Sequence, residues 1–139
     1  MSNIRRVHRT EISLNLAIAV AVGGAVGAVV RHLVVQQTAN VFGTETPWST
    51  LLVNTIGSFI LGVAMEVFAL TWTPGQAFQV MITVGFCSSL TTFSAFSMDL
   101  VILFQQGLYI KAGIYLVVSI ISGVMAFLAG MALIRAINT

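Results

Sequence analysis

The sequence predicts an all-α integral membrane protein with four transmembrane helices, and three observations predict it. Six basic and four acidic side chains make up 7% of the 139 residues, while 58% are hydrophobic. A soluble domain carries roughly 25% charged residues, so this chain lacks the polar surface needed to face water. Mean hydropathy is +1.00. Four uncharged stretches each approach the ~20 residues that cross a hydrocarbon core. Their short connections leave one four-helix unit, residues 12–139, behind a basic tail at residues 1–11.

The tail holds Arg5, Arg6, His8 and Arg9. A basic start before an apolar run has the outline of an export signal. This run, however, exceeds a signal core and ends in arginine rather than a small-residue cleavage site, so an uncleaved first helix is expected. Span one, Ile12 to Val30, is uncharged up to Arg31 and contains Gly23, Gly24 and Gly27. Gly43 through Pro47 separate it from span two, Thr46 to Met65, which ends at Glu66. Asn54 lies eight positions into that span, near mid-depth at a rise of ~1.5 Å per residue. Thr73-Pro74-Gly75 make a turn before span three, Gln76 to Met98. Apolar character continues past Asp99 to Phe104, too long for a straight span unless it tilts or breaks, and Gln105-Gln106-Gly107 close it. Span four, Ala112 to Ile134, ends at Arg135.

With both ends on one side, Arg5, Arg6, Arg9 and Arg135 oppose Arg31 and Lys111. This four-to-two bias favours both termini in the cytoplasm. The isoelectric point of 9.2 therefore reflects topology and anionic lipid, not nucleic acid. Cys87 stands alone, so neither an intramolecular disulfide nor a thiolate metal site is expected. His8 and His32 form no ligand pair for haem or metal. No nucleophile, base and orienting acid recur at usable spacing, and an enzyme is not expected.

The candidate site centres on span three. Six of the ten residues from Ser88 to Ser97 carry a hydroxyl inside an uncharged run. Hydrocarbon cannot satisfy such groups, so they imply a protein-lined cavity or a broken helix at membrane depth. Phe93 and Phe96 lie three apart and share a helix face. An aromatic ring has a positive edge and can stabilise an anion without holding it as tightly as a cation would. Asn54 offers two donors without charge, which suits an anion that must shed water yet leave; interhelical glue is the plainer role. Tyr115, Ser119 and Ser122 form a hydroxyl stripe on span four. Arg31 either draws anions into a vestibule or snorkels to the interface.

Small residues recur four apart: Gly23 with Gly27, Ser58 with Gly62, Ser119 with Gly123. Such faces serve helix contacts within one subunit or a homodimer interface. The homodimer is favoured, because four short helices offer little volume for a sheltered pore.

Thr50-Leu51-Leu52-Val53-Asn54 followed by Gly57 and Gly62, with Gly85 and Leu90-Thr91-Thr92-Phe93-Ser94-Ala95-Phe96-Ser97, resembles the Fluc (CrcB-type) small fluoride channels. Gly23 to Gly27 ahead of Arg31, and Gly107-Leu108-Tyr109 before span four, fit the same pattern. The resemblance covers the chain from span one onward. It implies a passive fluoride-selective channel in the inner (plasma) membrane that exports the toxic anion and confers resistance. It further implies an antiparallel, dual-topology homodimer with two pores and a structural sodium ion at its centre. The third helix would break, and the backbone carbonyls of Ser88 and Thr91 would hold the sodium. Asn54 would lie on the fluoride path, with Phe93 and Phe96 in its wall and Thr50, Tyr115 and Ser119 extending the polar track.

Some positions depart from the family pattern. Ser88-Ser89 stands where two glycines are common, Ala95 replaces a frequent threonine, and Asp99 stands where glutamate is usual. Two other classes were weighed against the channel. A small-multidrug-type antiporter needs a carboxylate within span one, and Ile12 to Val30 has none. A membrane anchor subunit of a larger complex explains the helices but not the hydroxyl cluster with its paired phenylalanines.

Overall fold

The computed structural model describes residues 2–42 and 47–138, with side chains described over 13–41 and 47–138. Gly43 to Thr46, expected as a separator and the start of span two, lie outside the described residues. The described chain is helical throughout, and four of its helical stretches are long and apolar enough to cross a membrane.

α1 runs Ser2–Phe42, with Ser13–Val41 as its apolar stretch. α2 runs Trp48–Leu70 directly after Pro47. Pro74 then breaks the chain, and the amides of Phe78 and Gln79 return to the Gly75 carbonyl to start the third span. That span is not one regular helix. It passes from α3 (Gln76–Val80) through a seven-residue π-helical stretch, Met81–Cys87, to α4 (Ser88–Leu90). After extended backbone at Thr91 and Thr92 it resumes as α5 (Phe93–Gln105). Gly107 ends it at φ 73°, with the Leu108 amide bonded to the Leu103 carbonyl and the Gly107 amide to that of Phe104. This is a Schellman cap, whose left-handed residue favours glycine. α6 runs Tyr109–Ile137.

Counting uncharged residues places the ends of spans one, two and four too early. α1 continues past Arg31 to Phe42, α2 past Glu66 to Leu70, and α6 past Arg135 to Ile137, whereas α5 ends at Gln105, where the closing Gln105-Gln106-Gly107 is expected. A charge interrupts hydropathy but not a helix, whose backbone bonds are indifferent to it and whose long side chains snorkel.

α2 packs chiefly on α6, and α1 on the π-helical stretch and α4. Glycines permit both contacts. A Cβ at Gly62 would run into the Phe127 carbonyl oxygen, and one at Gly130 into that of Phe59. On the other side, Cβ atoms at Gly23 and Gly27 would meet the carbonyl oxygens of Met81 and Phe86. The small-residue faces of spans one and two are therefore occupied within the subunit. Thr55 Oγ1 adds a hydrogen bond to Ser122 Oγ at 3.1 Å, joining α2 to α6.

At one end of that helix pair, Arg135 grips Glu66 through Nε to Oε1 at 2.6 Å and Nη2 to Oε2 at 3.3 Å. Glu66 is only 5% exposed, so removing its partner leaves a buried carboxylate uncompensated. Arg135→Gln is expected to lower Tm in detergent, and adding Glu66→Gln to restore part of the loss. Equal losses in the single and double variants would refute this account of the pair.

Candidate functional site

The site is built around the interruption between α4 and α5. A continuous helix would send the Thr92 amide to the Ser88 carbonyl and the Ala95 amide to the Thr91 carbonyl. Both amides are diverted here. The Thr92 amide donates to Asn54 Oδ1 at 2.7 Å, and the Ala95 amide to Thr92 Oγ1 at 3.3 Å. The second bond makes Thr92 the N-cap of α5, a position that favours hydroxyl side chains. The diversions release the carbonyls of Ser88 and Thr91 from helical pairing.

Asn54 completes a two-point brace. Its Nδ2 donates to the Thr92 carbonyl at 3.2 Å while its Oδ1 accepts from the Thr92 amide. The side chain thus pairs with extended backbone as a neighbouring strand would, and one amide N–H remains. Gly57, three residues on, leaves room for the Thr91 methyl, which a Cβ there would meet. Thr91 Oγ1 itself turns back to the Cys87 carbonyl at 3.0 Å.

Beside the brace lies an open cleft of about 300 Å³, lined by Asn54, Thr91, Thr92, Phe93, Phe96 and Ser119 among others. Among the described residues no charged side chain lines it. Phe93 is 79% exposed at its edge, whereas Phe96 is buried. The rings form a file: Phe93 to Phe96 at 5.6 Å between centroids, then Phe96 to Tyr115 at 5.3 Å. Ser119 Oγ is buried beside the cleft, with the Tyr115 hydroxyl nearby but no well-formed hydrogen bond. A buried hydroxyl left short of partners costs about 1–3 kcal/mol, so one facing a cleft marks a place for an occupant.

The remaining expected residues divide. Thr50 and Tyr115 do not line the cleft; both are buried beyond Phe96, with the Tyr115 hydroxyl close to those of Thr50 and Ser119. That hydroxyl donates to Asp99 Oδ2 at 3.1 Å. Asn54 with Thr50, and Ser119 with Tyr115, are one helical turn apart, so the hydroxyls continue the line of the cleft. Ser88 is exposed, its Oγ donating to the Thr83 carbonyl at 3.3 Å. Arg31 is half-buried on α1, one turn past Gly27, and does not line the cleft.

Sequence reasoning missed Thr92 as the residue that Asn54 holds. The signal was available, since a threonine opening an apolar helical run is an N-cap candidate. It also missed Ser58 in the cleft wall and the Tyr115–Asp99 bond. No sequence spacing announces that bond, because its partners sit on different helices.

The chain was then compared with known proteins. The family model described as CrcB-like protein, Camphor Resistance (CrcB), matches residues 18–131. A protein of Rhizobium leguminosarum bv. trifolii named fluoride-specific ion channel FluC is 40% identical over 121 residues, 87% of this chain and 97% of the relative. A Sphingopyxis alaskensis protein of the same name is 43% identical over 122 residues, 88% and 97% of the two chains. Nitrobacter hamburgensis has a fluoride-specific ion channel FluC 1 that is 38% identical over 118 residues, 85% and 94% of the two.

Proposed function

The chain belongs to the CrcB-like family, and from that membership and the geometry of the cleft we propose that it is a fluoride-selective channel. The observation that carries the reading is the chemistry of the cleft. It offers an amide N–H of Asn54, the Ser119 hydroxyl and two aromatic rings, with no charged side chain among the described residues. A small anion surrenders tightly held water only to close donors, and neutral donors let it go again. Conduction is passive, and it lets the cell discharge fluoride across its plasma membrane and so resist it. The ion passes Asn54 and the edges of Phe93 and Phe96, then follows Ser119, Thr50 and Tyr115. Arg31 enriches anions at the approach.

One chain leaves this path open on a side. Polar groups at membrane depth must be enclosed by protein, and the exposed Phe93 stands at the unenclosed edge. A second copy closes the cleft, and the small charge bias permits the antiparallel, dual-topology arrangement in which two pores result. The Ser88 and Thr91 carbonyls, released from helical pairing, fit a sodium ion at the centre of that dimer. Oxygen ligands suit a hard cation, and its bound charge would satisfy carbonyls that hydrocarbon cannot.

The test is fluoride release from liposomes containing the purified protein, followed with a fluoride electrode after adding a potassium ionophore. Rapid ionophore-dependent release, absent for chloride, is expected; silence from well-folded dimers would overturn the reading. Replacing all sodium with a large organic cation should reduce that release, and undiminished flux would remove sodium from the account. Ser119→Ala is expected to slow efflux at least several-fold while lowering stability by no more than ~1 kcal/mol, the scale of a single neutral hydroxyl contact. A fall in Tm without a change in flux would make Ser119 a packing residue.

A further inference from the structure

A second cavity, of about 270 Å³, opens between the start of α2, the end of α5 and the start of α6. Trp48, Leu51, Leu103, Leu108 and Tyr115 contribute to its wall, and among the described residues Lys111 is its one charged lining residue. We propose that it holds one acyl chain of an anionic phospholipid whose headgroup is bound by Lys111. The claim is about binding and stands apart from the conduction reading.

Depth supports this occupant. α2 begins at Trp48 and α6 at Tyr109, and both aromatic rings are exposed there, as at a membrane–water boundary. A lysine at that level reaches lipid phosphate while an apolar hollow beneath it lies in the hydrocarbon region. Among the described residues Lys111 makes no ion pair; Arg135 and Glu66 form the one salt bridge there. Asp99, on the neighbouring helix, receives the Tyr115 hydroxyl instead.

Size argues against a protein occupant. A helix is ~10–12 Å across, too wide for so small a hollow. An extended peptide would bring backbone donors and acceptors that a mostly apolar wall leaves unsatisfied. A hydrocarbon tail makes no such demand. It also has a consequence for the rest of the molecule, because Tyr115 belongs to both cavities' surroundings. With its hydroxyl on Asp99 and its ring against Phe96, Tyr115 presents the remaining ring surface to the tail. An occupied hollow therefore supports Tyr115 from behind.

Native mass spectrometry of the purified full chain in detergent tests the proposal, with phosphatidylglycerol or phosphatidylcholine added at matched concentrations. Retention of phosphatidylglycerol is expected to exceed that of phosphatidylcholine by roughly five-fold, the scale of one lysine against one anionic charge. Lys111→Gln should abolish the preference. Val118→Phe, which fills the hollow, should reduce retention of both lipids, and Ile114→Phe serves if that variant does not fold. No headgroup preference in the unmodified protein would overturn the proposal. So would retention unchanged by Lys111→Gln, or by the filling substitution, since either would leave only lipid adhering to the outer surface.

Discussion

Liposomes carrying Asn54→Leu are expected to release fluoride no faster than liposomes without protein. Two losses combine in this variant. The cleft loses its amide donor, and the Thr92 amide and carbonyl lose the side chain that pairs with both. Each buried backbone group left without a partner costs about 1–3 kcal/mol, so Tm should fall as well. Asn54→Asp keeps an acceptor for the Thr92 amide but loses the donor to its carbonyl and repels an anion, so efflux should again stay at background. Its uncompensated carboxylate costs stability as well. Efflux at the original rate in an assembled Asn54→Leu protein would remove Asn54 from the ion path.

Gly62→Ala and Gly130→Ala are expected to destabilise the helix pair α2–α6, each by about 1–3 kcal/mol, the usual cost of forcing a methyl into a packed contact. The obstruction is backbone in both cases. A methyl at Gly62 meets the Phe127 carbonyl, and one at Gly130 meets the Phe59 carbonyl with the Val63 amide nitrogen at 2.9 Å. Neither can swing aside as a side-chain end would. Gly123→Ala is the internal control, since its Cβ would find only Ser58 Oγ at 3.7 Å, an ordinary contact. Thermal unfolding in detergent should rank Gly123→Ala near the unmodified protein and the other two well below it. Equal Tm values for all three would show that the α2–α6 contact yields more easily than its geometry implies.

Class and span number were legible because lipid imposes them: a chain with so few charges has only apolar helices to offer. The Thr91–Thr92 break was partly legible, since hydroxyls crowded at membrane depth demand either a cavity or a broken helix, and both are present. The span limits were less so. Arg31, Glu66 and Arg135 end uncharged runs, yet all lie within helices, and the Glu66–Arg135 pair depends on which helices adjoin. Adjacency is a tertiary fact. The glycine faces were ambiguous in a related way, because spacing reveals that a close approach occurs but not with what. Gly23 and Gly27 meet the third span of their own chain. Among the expected site residues, Asn54, Thr91, Phe93, Phe96 and Ser119 line the cleft. Thr50 and Tyr115 come near it only through their alignment one turn away.

The π-helical stretch has a consequence for how the third span tolerates changes in length. Each π turn takes one residue more than an α turn, and one residue is worth about 100° of rotation. Gly85 faces α1 from inside this stretch, while Thr91, beyond it, faces Gly57 on α2. The two ends of the span are thus written in different phases, and the extra residue is what sets one against the other. Deleting any single residue between Met81 and Cys87 would yield a more regular helix aimed in the wrong direction, turning Thr92 away from Asn54. In this segment the number of residues is as much a part of the site as their identity.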